Sequence, residues 1–132
     1  MRVEVGDLLV VRFAPISVEK LIDQAEDEAE SCRLEGIPIL YSISTVAIQR
    51  SADEEQEESL LHRVCRESTA GGRTIFVTAQ SVLEENGFGV RRSEPPTHHH
   101  DVIFGINLHE SDVNRLHTLF ETGRRKNPAW PK

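Results

Sequence analysis

Hydrophobic residues along the chain follow two periods in turn, those of strands and those of helices. A run rich in β-branched side chains between positions 3 and 13 predicts a strand, or two short strands around Gly6-Asp7. Ser17 is a suitable N-cap for a helix whose apolar residues recur at helical spacing as far as Cys32, and Gly36 ends it. Residues 37–49 alternate over much of their length and predict a second strand.

The remainder of the chain repeats this order of strand and helix. Ser51 and Glu54 have the spacing of a capping box, which predicts the start of a second helix. The buried face expected for that helix is Leu60, Leu61, Val64 and Cys65. The later predicted elements are a strand at 73–78, a short helix ended by Asn86-Gly87, a short strand at 88–92, a strand at 102–108 and a helix capped by Ser111.

This alternation at short loop lengths predicts the α/β class, with helices packed against a mixed or largely parallel sheet. An α+β two-layer arrangement is the alternative if Gly6-Asp7 marks a hairpin. A length of 132 residues is that of one domain, which we place at residues 1–123, with residues 124–132 as a C-terminal tail.

The formal net charge is −7, and the excess of acid lies in the first half of the chain. Residues 1–72 contain 15 Asp and Glu against 7 Lys and Arg, whereas residues 73–132 contain 7 against 8. Such a surface repels nucleic acid and anionic membranes as a whole, so that either partner would need a local basic patch. The candidates for a patch are Arg91, Arg92, Arg124, Arg125 and Lys126.

Neither cysteine has the spacing of a zinc site, and two cysteines are too few for a disulfide scaffold of this length. We interpret Cys32 and Cys65 as reduced core residues on the apolar faces of helices. The first residues do not have the apolar run of a signal peptide, and no stretch approaches the length of a membrane-spanning helix. The sequence therefore predicts a cytoplasmic protein.

Three consecutive histidines and an aspartate, His98 to Asp101, form the most distinctive cluster of polar side chains. In an extended segment His98 and His100 share one side, about 6.5–7 Å apart at Cα, and can reach one divalent metal ion. Asp101 falls on the side of His99. A catalytic zinc usually has three protein ligands. The candidates for the third are His62, His109, His117, Glu94 and Asp7.

Two functions remain open at this point. The first is a protein-binding or regulatory module, similar to an inhibitor or immunity protein, that presents acidic helix faces at 23–30 and 53–58 to a basic partner and needs no cofactor. The second is a small hydrolase or nuclease acting on phosphate esters. There His98, His100 and Asp101 are metal ligands or acid and base groups, and Arg91 or Arg92 binds the anion. We rank the binding module first because no complete catalytic set has a known spacing.

Trp130 is the single tryptophan and lies in the charged tail. An isolated tryptophan there is exposed unless it docks on the domain or on a neighbouring subunit. We expect docking, either within the chain or across a homodimer.

Overall fold

The structure, a computed structural model, describes residues 3–13 and 16–131, which form six strands and four helices. The strands are β1 (Leu8–Phe13), β2 (Tyr41–Gln49), β3 (Thr74–Ala79), β4 (Gly89–Arg92), β5 (His99–Gly105) and β6 (Arg124–Lys126). The helices are α1 (Val18–Glu35), α2 (Glu57–Glu67), α3 (Gln80–Glu85) and α4 (Glu110–Thr122).

The strands form a single sheet in the order β4-β5-β2-β1-β3-β6, and each neighbouring pair is antiparallel. The predicted α/β class is therefore wrong, and the fold is α+β. Leu8 pairs with Gln49 and Val11 pairs with Val46, so that β2 begins at the end of the sheet where β1 ends. Helix α1 consequently returns the chain to the end of the sheet from which it left, whereas a parallel crossover would have carried it to the other end.

Both faces of the sheet are covered by helices. Along β1, Val10 belongs to one hydrophobic cluster, whereas Leu9 and Val11 belong to the other, as expected from the alternation of side chains in a strand. Residues of α1 and α4 pack in the first cluster, and residues of α2 pack in the second. The helices thus form layers on both sides of the sheet. The α+β alternative was therefore correct in class but not in its two layers, which would leave one face of the sheet without helices.

The ends of α1 agree with the prediction, and the start of α2 does not. The Ser17 hydroxyl accepts a hydrogen bond from the Lys20 amide at 3.2 Å, and Gly36 ends α1 in the left-handed conformation at φ 73°. Helix α2 begins at Glu57. The predicted capping box at Ser51 is wrong, because it is the Glu55 carboxylate that accepts the Ser51 amide, at 2.7 Å, in the turn before the helix. The predicted buried face is confirmed: Leu60, Leu61, Val64 and Cys65 are all buried.

The predicted tail begins with an edge strand, since β6 pairs with β3. The junction between α4 and β6 requires glycine: a Cβ at Gly123 would lie 1.8 Å from the Val77 carbonyl oxygen. Asn127 is buried after β6, and its side-chain amide donates to the Gly72 carbonyl at 2.8 Å. Trp130 remains 42% exposed, so its burial against a second subunit stays a prediction.

The two cysteines occupy different environments. Cys65 is buried in the core on the α2 side, whereas Cys32 is only half-buried, so its predicted core position is wrong. Neither forms a disulfide. Within the described residues, no helix has the length and the apolar composition needed to cross a membrane.

Candidate functional site

The histidine segment turns sharply at His98. Among the described residues, His98 is the one residue other than glycine with a positive φ, at 67°. This left-handed conformation is uncommon for a residue with a Cβ. Two hydrogen bonds hold it: the His98 amide donates to the Glu94 carboxylate at 3.2 Å, and the His98 carbonyl accepts the Ala47 amide at 2.9 Å. The extended backbone assumed for residues 98–101 therefore begins only at His99.

The turn separates the two histidines that were predicted to share a metal ion. The His98 ring binds through Nε2 to Glu67 at the end of α2, at 2.7 Å. The His100 ring is buried, and its Nδ1 lies 2.8 Å from the backbone oxygen of His98. Thr45 binds the carbonyl of His100 from the neighbouring strand, at 2.9 Å. In the described part of the chain, no group of three or more His, Cys, Asp or Glu side chains could hold a metal ion.

The candidates for a third ligand have other positions or partners. The Asp7 carboxylate binds the hydroxyl and amide of Ser81 at 2.5 and 3.1 Å, and Glu94 binds the Arg92 side chain at 2.6 Å. His62 lies on α2, His109 is the N-cap residue of α4 and His117 lies within α4. These positions leave the predicted pair of His98 and His100 without a complete ligand set among the described residues.

Asp101 and His99, by contrast, do lie together, as alternation along the strand predicts. The His99 Nδ1 is 4.0 Å from the Asp101 carboxylate and 2.5 Å from the Ser93 hydroxyl. The Asp101 side chain is only 12% exposed, and Arg91 on β4 binds it at 3.2 Å. We refer to Ser93, His99, Asp101 and Arg91 as the His99 cluster. Sequence reasoning missed His99 itself, although the alternation that placed it beside Asp101 was the signal for it.

The two arginines predicted to bind an anion both bind carboxylates of the chain. Arg91 pairs with Asp101, and Arg92 pairs with Glu94 at 2.6 Å. Both arginine side chains are more than half exposed. An external phosphate would have to compete with these carboxylates.

The charges of the His99 cluster affect the pKa of one acidic residue outside it, Glu28. The pKa of Glu28 on α1 is raised, first by burial and then by the negative charge of Asp101, whereas the positive charge of His99 acts in the opposite direction. Glu28 on α1 therefore interacts electrostatically with Asp101 and His99 of the His99 cluster.

A gap between β1 and β2 lies next to this cluster. The ladder between the two strands ends at the pair Val11–Val46. Beyond it, the Ser44 amide donates to the Gln24 side chain at 3.0 Å, and the Ser44 carbonyl accepts Arg12 Nη1 at 2.6 Å. At Ser44, where β1 no longer pairs with β2, the side chains of Gln24 and Arg12 therefore bind the backbone amide and carbonyl instead.

A cavity of about 300 Å³ opens at this gap. Its wall consists of Arg12, Phe13, Gln24, Ser44, Thr45, Val46, Thr69, Ala70, Pro96, Thr97 and His99. The His99 ring therefore connects the hydrogen-bonded cluster with an open volume. A larger hollow of 640 Å³ lies along α2, and one of 630 Å³ lies between β3, α4 and β6. Neither has residues of the His99 cluster or the buried Arg12 in its wall.

The outward side of α1 forms a second candidate surface. Asp23, Glu26 and Asp27 are exposed, and in the described structure none of them has an ion pair or a side-chain hydrogen bond. The helix ends next to Leu34, which is 77% exposed, and Ile37, which is also exposed. We refer to these five residues as the α1 face.

A shallow notch adjoins the α1 face. It has a volume of about 260 Å³ and lies between the helix and the start of β2. Glu26 and Glu30 supply carboxylates to its wall, Arg33 supplies a guanidinium, and Ile39 and Tyr41 supply apolar surface. Charged and apolar groups therefore meet at one end of the molecule.

Comparison with known proteins adds no relative: no family model, no curated protein and no solved structure matches this chain. Function must therefore be argued from the chemistry of these surfaces.

Proposed function

We propose that this protein is a protein-binding or regulatory module that binds a partner with a basic surface through the α1 face. The observation that carries the proposal is that the exposed carboxylates of Asp23, Glu26 and Asp27 and the exposed side chain of Leu34 lie on the same side of α1, by helical spacing. We further infer a cytoplasmic location for the complex.

The carboxylates provide the electrostatic part of the interaction. Glu26 and Asp27 follow Asp23 by three and four residues. All three project from the same side of the helix, where like charges repel one another. A basic partner would relieve this repulsion and would be drawn to the surface by long-range attraction. These three carboxylates are exposed and have no ion pair or side-chain hydrogen bond among the described residues.

The apolar side chains provide the anchor. Leu34 and Ile37 are adjacent to the carboxylates, and Ile39 extends the apolar surface toward the sheet. Ile106 is 73% exposed and follows Gly105, which pairs with Tyr41 at the same sheet end. Most interface energy comes from a few buried side chains surrounded by a polar rim, and in the proposed complex Leu34 and Ile37 would be the anchors and the carboxylates the rim.

The notch suggests which side chain of the partner is recognised. An arginine or lysine entering it would place its charge near Glu26 and Glu30 and its aliphatic stem against Ile39 and Tyr41. Glu30 already pairs with Arg33 of the same helix, so a partner's arginine would displace or join that exposed pair.

The alternative function, a phosphate-ester hydrolase or nuclease using His98, His100 and Asp101, has less support. The three side chains bind different internal partners, and the arginines expected to hold phosphate bind carboxylates. The binding proposal needs no such rearrangement.

The test compares two variants of matched charge change. The first carries Glu26→Lys, Asp27→Lys and Leu34→Ser on the α1 face. The control carries Asp53→Lys and Glu54→Lys, which are exposed acidic residues in the turn before α2. Proteins captured from the host lysate by the wild type would be identified, purified and titrated against each variant by calorimetry at low and high salt.

We expect the α1 variant to weaken the affinity for the purified partner by about 100-fold, because both the anchor and the steering charge are lost. The control should stay within about 3-fold of the wild type, since it removes only distant charge. Equal loss in both variants, or binding that does not depend on salt, would contradict the proposal.

A further inference from the structure

We infer that the cavity beside His99 is a binding site for a small oxyanion, and that Nε2 of His99 is one of the atoms that contact it. This site is separate from the α1 face and does not rest on the proposed function. The ligand class follows from the groups in the wall, from the way the ring is held and from the size of the cavity.

The His99 ring is fixed through one nitrogen, which leaves the other for a ligand. Ser93 lies 2.5 Å from Nδ1, and Asp101 lies 4.0 Å from the same atom. When the Ser93 hydroxyl donates to Nδ1, the neutral ring carries its proton on Nε2 and is a hydrogen-bond donor there. Because the ring itself forms part of the cavity wall, we place this donor toward the cavity.

The second support acts on Asp101. Arg91 binds its carboxylate at 3.2 Å, which keeps the side chain next to the imidazole. A neighbouring side chain held in this way restricts the orientation of the imidazole ring. Neighbouring side chains thus hold the His99 ring in one orientation, as in histidines that bind ligands, whereas a solvated loop histidine has no such partners.

The wall of the cavity has a positive electrostatic character in an acidic protein. Its ionisable side chains are Arg12 and His99, and among the described residues it contains no aspartate or glutamate. Arg12 is buried, and its Nη1 donates to the Gln24 side chain and to the Ser44 carbonyl. A buried guanidinium and an imidazole favour an anion over a cation or a neutral ligand.

The hydroxyl groups and the volume narrow the ligand further. The hydroxyls of Ser44 and Thr97 lie in the wall with the two basic side chains and suit an acceptor with several oxygens. A volume of about 300 Å³ is at the lower end of ligand-binding cavities. The ligand is therefore a compact molecule bearing a phosphate or a carboxylate, and Phe13 and Val46 offer apolar surface to the rest of it.

Glu28 and Asp101 set a limit on the affinity. Their negative charges lie near His99, as the raised pKa of Glu28 indicates. We therefore expect weak binding of the bare ions, with a Kd on the order of 1 mM. Neutralising Glu28 should tighten it.

The test follows the ring signals of all histidines by NMR while inorganic phosphate or acetate is added to the intact protein, with sodium chloride at matched ionic strength as the reference. A saturable shift of the His99 ring, together with the amides of Ser44 and Thr97, is the expected result. The two titrations distinguish phosphate from carboxylate as the better ligand. Shifts that sodium chloride reproduces, or that affect every histidine alike, would overturn the inference.

Three variants sharpen the test. His99→Gln should weaken binding at least about 10-fold, since a charged or strong hydrogen bond is lost. The control His109→Gln changes an exposed histidine at the start of α4 and should leave the affinity unchanged. Thr69→Phe obstructs the cavity at an exposed position without altering His99, and should also abolish binding. Phosphate or acetate binding that survives both His99→Gln and Thr69→Phe would contradict the site.

Discussion

Helices α1 and α2 carry similar densities of acid in the sequence, but the fold uses the two sets differently. Around α2, Glu58 pairs with Arg125, Glu67 binds His98, and Glu55 accepts backbone amides of the preceding turn. On α1, Asp23, Glu26 and Asp27 have no such partners within the described chain. These three carboxylates in and near α2 therefore have internal partners, whereas Asp23, Glu26 and Asp27 on α1 face outward.

The apolar residues of the two helices differ in the same sense. Helix α2 buries its apolar stripe completely on one face of the sheet, with Leu60 only 2% exposed. Helix α1 buries Leu21, Ala25 and Ala29 but leaves Leu34 exposed where it extends to the sheet end. The comparison indicates when a row of surface charges is a candidate interface. The charged side chains have no partner within the chain, and the apolar side chains near them remain exposed.

The largest effect expected from this comparison concerns leucine truncation. Leu60→Ala in α2 should lower the free energy of unfolding by about 2–5 kcal/mol, because it removes buried methyl groups and leaves a cavity. Leu34→Ala in α1 should change it by less than about 0.5 kcal/mol, because the side chain is exposed in the free protein. Urea unfolding of both variants measures the difference. A cost above about 1 kcal/mol for Leu34→Ala would show that Leu34 already packs within the chain.

The sequence predicted local structure well and strand direction poorly. Ser17 and Gly36 mark the ends of α1 through capping chemistry that acts within a few residues, and the 3.6-residue period identifies the buried face of α2. Strand direction depends on where a helix delivers the chain. The β1–β2 pairing is antiparallel because β2 starts beside the end of β1. The hydrophobic pattern of residues 37–49 contains no information about that starting point.

The candidate site was predicted in part for a related reason. Alternation in β5 correctly placed His99 beside Asp101, because the backbone there is extended. It failed for His98, whose left-handed conformation depends on contacts with Glu94, four residues earlier in the same loop, and with Ala47 on β2. The cavity could not be predicted because it arises where two strands separate, which is a tertiary feature.

Charge reversal should have opposite signs on the two helices. Glu58→Lys breaks the pair with Arg125 and sets two cations together, and should destabilise the protein by up to about 1 kcal/mol, as expected for an exposed pair. Asp27→Lys replaces repulsion from Asp23 and Glu30 by attraction and should stabilise α1 by about 0.2–0.5 kcal/mol per pair. Urea unfolding in low salt measures both.

Glutamine at each of the two positions provides the neutral reference for helix propensity. High salt should shrink both differences, because exposed charges are screened. Destabilisation by Asp27→Lys relative to Asp27→Gln would show that Asp27 has a favourable role in the free protein and would argue against its availability to a partner.

The smallest effect concerns the pH dependence of one glutamate on each helix. The hydrogen bond to His98 lowers the pKa of Glu67, and its stabilising contribution is therefore present above the ordinary glutamate pKa and lost as pH falls through the lowered value. Burial raises the pKa of Glu28, and its favourable contribution is instead present at low pH and lost as pH rises through the raised value.

Glu67→Gln should therefore lower the Tm at neutral pH, whereas Glu28→Gln should raise it slightly, and both differences from the wild type should disappear in acid. Thermal unfolding across this pH range measures both, and Glu54→Gln in the turn before α2 is the control. A neutral-pH loss of Tm in Glu28→Gln would mean that the Glu28 carboxylate has a stabilising partner. It would then join the carboxylates of α2 as a structural group, and the electrostatic contrast between the helices would be confined to Asp23, Glu26 and Asp27.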